Sequence, residues 1–150
     1  MSSYRQSIYQ LVFGTKYRQK TLTKKADRDR LWAYMAQTLR QMNCFVYDVN
    51  GVEDHVHLLF SLHPTVAMSN LIRDVKTSSN KFIKTSLDLP KFDRWQRGYG
   101  YFTYAPEALP NLKAYVARQE EHHGLVTFET EYIDLLEEHE VEYDTRYLFD

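Results

Sequence analysis

The chain lacks the features that would place it in several large classes of protein. Its one cysteine, Cys44, leaves no disulfide framework and no cysteine-based zinc site. Cys44 opens an apolar run and reads as a small buried hydrophobe. No stretch approaches eighteen apolar residues, and the opening Met1-Ser-Ser-Tyr-Arg-Gln6 has no apolar leader segment. The expectation is a cytoplasmic protein without membrane contact. There is no internal repeat, no low-complexity linker and no Gly-x-x-x-x-Gly-Lys-Ser/Thr loop, so no nucleotide cofactor is expected. What remains is 150 residues, 43% hydrophobic and 26% charged, enough for one domain with a proper core. We expect a single domain over 1–150, with a core at about 5–124 and an acidic tail at about 125–150.

The net charge of −1 hides an asymmetry. Residues 1–119 carry 18 Lys and Arg against 9 Asp and Glu, whereas residues 120–150 carry one Arg against 11 Asp and Glu. A basic body suits a phosphate-backbone partner; the acidic end does not, and reads as a solvated tail.

Residues 5–13 read as a strand and Lys16 to Lys25 as a basic turn. Leu31, Tyr34, Met35, Leu39 and Met42 recur at helical spacing and predict a helix over 27–42. Residues 44–52 and 55–62 return to strand chemistry, joined by a turn at either Asn50-Gly51 or Glu53-Asp54. Met68, Leu71, Ile72, Val75, Phe82 and Ile83 form the apolar stripe of a helix over 67–86. Residues 95–104 read as a strand with candidate bulges at Gly98 and Gly100. A helix over about 110–123 has Pro110 in its first turn and Gly124 as its stop, and 129–140 suits a short helix before an irregular end. The order β-α-β-β-α-β predicts an α+β, ferredoxin-like split βαβ fold, an antiparallel sheet with helices, plus an added C-terminal helix. That fold hosts many functions and decides none.

The chemistry lies in Asp54-His55-Val56-His57-Leu58-Leu59-Phe60. On a strand, Val56, Leu58, Phe60 and Leu62 share the core face, which sets His55 and His57 side by side on the other. Two imidazoles at i, i+2 make half a metal site, although a bare His-x-His is more often two polar residues on a solvated face. On the 110–123 helix, Tyr115 and Gln119 stand at i, i+4, with His122 one turn further. Tyr115 offers an oxygen nucleophile for phosphorus and Gln119 an amide oxygen; packing of Tyr115 beside Leu112 and Val116 is the plain alternative.

Together these segments resemble the single-tyrosine HUH transposases of the smallest insertion sequences and their REP-associated tyrosine transposase relatives. The resemblance runs from the first strand to His123, through His55-Val56-His57, Gly98-Tyr99-Gly100-Tyr101-Phe102 and Tyr115 to His123. It implies that His55 and His57 bind a divalent metal, Mg2+ or Mn2+, that Gln119 completes its ligands, and that Tyr115 is the nucleophile. It implies a single-stranded DNA substrate with a hairpin, and a homodimer in which the tyrosine helix of one subunit can complete the site of the other.

DNA must also be held. Arg73, Lys76, Asn80 and Lys84 step along the 67–86 helix opposite its apolar stripe, a candidate phosphate-facing edge. Lys16, Arg18, Lys20, Lys24 and Lys25 form a second basic cluster, and Trp95, Tyr99 and Tyr101 are candidates for stacking on bases. Competing readings are a replication initiator or relaxase, for which the chain has neither extra domains nor a third motif histidine, and a water-using phosphodiesterase. Others are a domesticated REP-associated nickase and a non-catalytic nucleic-acid-binding module, which would need no metal.

Overall fold

In the computed structural model, which describes residues 3–150, the expected β-α-β-β-α-β order is present. Its elements are β1 (Ile8–Gly14), α1 (Lys25–Gln41), β2 (Phe45–Gly51), β3 (His55–Ser61), α2 (Met68–Ser86) and β4 (Gly100–Tyr104). The sheet runs β2-β3-β1-β4 with every neighbouring pair antiparallel, an α+β arrangement. Leu11 and Phe13 of β1 and Val56, Leu58 and Phe60 of β3 point to one face. Leu31, Met35 and Leu39 of α1 and Leu71, Val75 and Ile83 of α2 close over them.

The second face is covered as well, by α3 (Leu109–Ala117), α4 (Gln119–His122) and α5 (Phe128–Glu138). Ile8 and Leu59 pack on Leu112 and Val116 of α3, while Val12 and Phe102 meet Phe128, Tyr132, Leu135 and Leu136 of α5. Burial on both faces explains why β1 is apolar at the consecutive positions Leu11, Val12 and Phe13. His55 and His57 do lie opposite the main core, but on a second interior rather than a solvated surface.

Local differences from the sequence reading have physical causes. The 110–123 helix breaks at Arg118 (φ −100°, ψ 22°), giving α3 and α4 in its place. The break is stabilised from a distance: Asn50 Nδ2 of β2 donates to the carbonyls of Val116 at 2.9 Å and Ala117 at 3.3 Å, which the helix leaves unpaired at its end. The expected strand over 95–104 is reduced to β4, because Lys76 Nζ donates to the carbonyls of Gln96 and Gly98 at 2.7 Å and of Arg97 at 3.2 Å. The β2–β3 turn is made at Glu53-Asp54: Gly51 still pairs with Val56, and a Cβ on Gly51 would stand 2.2 Å from the His55 carbonyl. The irregularity in pairing falls between Val46 and Asp48 rather than at Gly98 or Gly100.

The acidic segment holds an amphipathic helix, α5. Beyond it the chain is irregular but attached: Arg97 N donates to the Asp150 carbonyl at 2.6 Å and Gln96 Nε2 to that of Leu148 at 2.9 Å. Among the described residues, no helix is long and apolar enough to cross a membrane.

Candidate active site

Strand β3 delivers two imidazoles with no exposed surface. Each is aimed by a partner on its Nδ1: Asp54 Oδ1 lies 2.7 Å from that of His55, and Gln10 Oε1 of the neighbouring β1 lies 2.7 Å from that of His57. An acceptor on Nδ1 fixes the ring and turns Nε2 toward the centre. Both Nε2 atoms converge on Glu131 Oε1 of α5, at 3.2 Å from His55 and 2.9 Å from His57. His123, directly after α4, adds its own Nε2 at 2.9 Å from the same oxygen. One oxygen therefore has three imidazole nitrogens around it.

Tyr115 of α3 reaches the same place. Its ring centre is 5.7 Å from that of His57, and its hydroxyl donates to Glu131 Oε2. Gln119 is fully buried, with Oε1 3.2 Å from His55 Nε2 and Nε2 donating to the Tyr115 carbonyl at 3.3 Å. The four residues singled out as nucleophile and ligands thus meet within one chain, Tyr115 standing beside its own His57. A cleft of about 480 Å3, lined by Gln10, Asn111, Tyr115, His122 and Glu131 among others, opens onto the tyrosine.

Charge in the centre is strongly coupled. Burial disfavours the Glu131 carboxylate, but His57, His123 and His55 outweigh it and hold its pKa far below the carboxylate range. Burial also opposes a charged His55, yet Asp54 and Glu131 shift it upward; in His57 burial wins and the pKa is lowered. Burial, then the Glu131 charge, pushes the Tyr115 phenol well above its usual value. The donor set fits a divalent cation: imidazole nitrogens of His55, His57 and His123 and a carboxylate oxygen of Glu131 lie within 4.8 Å of one another.

The proposed DNA-holding residues are not part of this centre. Arg73, Lys76, Asn80 and Lys84 lie on α2, across the sheet, and Lys76 differs from the expectation because its ammonium already serves three carbonyls. Trp95 is core, 4% exposed, its Nε1 donating to Ser79 Oγ; Tyr99 and Tyr101 are exposed and stacked on each other at 6.2 Å. In the second basic cluster, Lys16, Arg18, Lys24 and Lys25 pair with Asp93, Glu129, Asp88 and Asp29.

Over residues 3–119 the sequence matches the family described as transposase, IS200-like. The chain belongs to the IS200-like transposase family. No curated protein matches it in sequence. Its fold is similar to that of a Deinococcus radiodurans R1 protein provisionally named a transposase. That similarity has a TM-score of 0.59 at 21% identity and covers 79% of this chain and 95% of that one. It is also similar to a REP-associated tyrosine transposase solved bound to a REP hairpin, with a TM-score of 0.61 at 15% identity, covering 84% of this chain and 76% of that one. The IS200-like stretch contains His55, His57 and Tyr115 and ends on Gln119; His123 and Glu131 lie past it. The sequence reading assigned neither of these a role. A signal for Glu131 existed: Phe128, Glu131, Tyr132, Leu135 and Leu136 form one buried helical stripe in which it is the only charge.

Proposed function

We propose that this transposase cleaves and rejoins single-stranded DNA through a covalent tyrosine intermediate, with Tyr115 as nucleophile and a divalent ion, Mg2+ or Mn2+, held by His55, His57 and Gln119. The observation that carries the reading is the Tyr115 hydroxyl beside the convergent His55 and His57 imidazoles, in a chain of this family. The phenol oxygen attacks the scissile phosphorus and the 3′ oxygen leaves, taking up the proton that the phenol gives up. The product is a 5′-phosphotyrosine and a free 3′-hydroxyl, and because one phosphodiester replaces another, rejoining needs no ATP. An ion bound at the centre would offset charge on a phosphate oxygen and orient the leaving group. The hydrogen bond to Glu131 orients the phenol oxygen, and Asp54 and Gln10 hold the histidines.

A hairpin-bearing single strand is the proposed substrate class, supported by the similar structure solved with a REP hairpin. Arg73, Asn80 and Lys84 would grip phosphates outside the reacting centre, beside Lys76, which holds residues 96–98 in place. The homodimer expectation rests on the resemblance alone; a tyrosine beside its own histidines favours action as a monomer, which light scattering at micromolar concentration tests. The deciding experiment incubates labelled single-stranded hairpin oligonucleotides with the protein and Mg2+ or Mn2+ and resolves the products on a denaturing gel. A protein–DNA adduct that vanishes in Tyr115→Phe is expected. Cleavage without an adduct would instead assign attack to water, and an adduct that persists would assign it to another tyrosine.

A further inference from the structure

Two donors at the centre, His123 and Glu131, come from the part of the chain beyond the family match, and neither position is explained as surface or as core. Glu131 is 3% exposed and interrupts an otherwise apolar stripe of α5. A buried carboxylate is strongly disfavoured unless it is paired or coordinates a cation. Its two oxygens divide the work. Oε1 faces the Nε2 atoms of His55, His57 and His123, while Oε2 accepts from Tyr115 and lies 3.1 Å from His122 Nε2. The Nδ1 atoms of His55 and His57 are engaged with Asp54 and Gln10, so the nitrogens left to bind an ion are the ones that face Glu131.

We propose that Glu131 Oε1 and His123 Nε2 are direct ligands of the ion held by His55 and His57, making a three-histidine, one-carboxylate centre. The inference rests on reading the centre as a metal site and changes the donor set assigned to it: Gln119, 3.2 Å from His55 Nε2, becomes a flanking fifth donor. Three imidazoles and one carboxylate favour a transition ion such as Mn2+, Co2+ or Zn2+ over Mg2+, which prefers oxygen donors and retains much of its water. The carboxylate also becomes a bridge, one oxygen on the ion and the other on the nucleophile, so that α5 sets the distance between them.

The test uses the full chain, stripped with chelator and titrated with Co2+, Mn2+, Zn2+ and Mg2+ by calorimetry, with the visible absorption of the Co2+ form recorded. Wild-type protein should bind one transition ion per chain, far more tightly than Mg2+. Glu131→Gln and His123→Ala should each weaken Co2+ binding by about tenfold or more and alter the Co2+ spectrum, since even indirect supports of metal ligands carry effects of that size. Gln119→Ala should change both less. Circular dichroism checks folding; if Glu131→Gln does not fold, Glu131→Asp keeps the charge, shortens its reach and should still change the spectrum. Unchanged affinity and spectrum in the folded Glu131 and His123 variants, with binding lost in His57→Ala, would overturn this ligand set and leave the proposed function standing. Failure of the wild-type chain to bind any of the four ions would remove the metal reading itself.

Discussion

Gln10 shows how much of a site lies in residues that do no chemistry. It sits on β1, fully buried, and its amide oxygen holds the ring of His57. Gln10→Leu keeps the volume and removes that acceptor, freeing the imidazole to take the wrong tautomer. Metal affinity should fall by roughly 10–100-fold while the fold persists, measurable by titration alongside circular dichroism. Equal affinity in wild type and variant would show that packing alone aims the ring. The histidine pair itself was legible, because alternation along β3 separates His55 and His57 from Val56, Leu58 and Phe60. Gln10 was not, since nothing local marks a glutamine whose partner lies 47 residues away.

At the scale of elements, the joint between α3 and α4 positions Tyr115, the proposed nucleophile. Asn50→Ala removes the donor serving the Val116 and Ala117 carbonyls at the break. It should cost about 1–2 kcal/mol in stability, seen as a lower urea midpoint. Cleavage should fall by more than that loss explains, because Tyr115 and Gln119 sit on opposite sides of the joint and attack tolerates little misplacement. A variant with lower stability but full cleavage would make the joint structural only. The sequence pattern shows where α1, α2 and the strands lie because each buries a periodic face. It is silent on the break at Arg118 and on the short β4, since Asn50 and Lys76 impose these across the fold.

Lys76 also gives a pH signature. Burial, and then the nearby Arg94, lower its pKa from 10.5 to about 8 in the folded chain. Between those values the unfolded chain binds this proton and the folded one does not. The contribution of Lys76 to stability therefore rises as pH increases from about 8 toward 10.5, and is lost as pH falls back through 8. Lys76→Met should flatten that part of the stability profile; parallel profiles for wild type and variant would assign the slope to other groups.

For the molecule as a whole, the charge asymmetry acquires a place. The acidic segment supplies α5, which covers the sheet face that carries His55 and His57, while Arg73 and Lys84 project from α2 on the opposite side of the sheet. A strand held by those residues must pass around an edge to reach Tyr115, and the exposed pair Tyr99 and Tyr101 lies on the edge strand β4 and the approach to it. Arg73→Ala with Lys84→Ala should weaken DNA binding and reduce its salt slope by about two, without changing metal affinity. Unaltered binding would move the grip to another surface.

The closed position of α5 also has a consequence in time. His55 and His57 have no surface open to water, and Glu131 lies over them. On the proposed metal reading, release of an ion should be limited by lifting of this helix, because the cleft reaches Tyr115 and Glu131 but leaves the two imidazoles covered. Stripping by a chelator should be first-order, at a rate that does not rise with chelator concentration, whereas a rate proportional to chelator would mean an open centre. If exchange is gated in this way, each molecule keeps the ion it met while folding until α5 next opens. Two preparations of the same chain would then differ in behaviour according to the metals present when they were made.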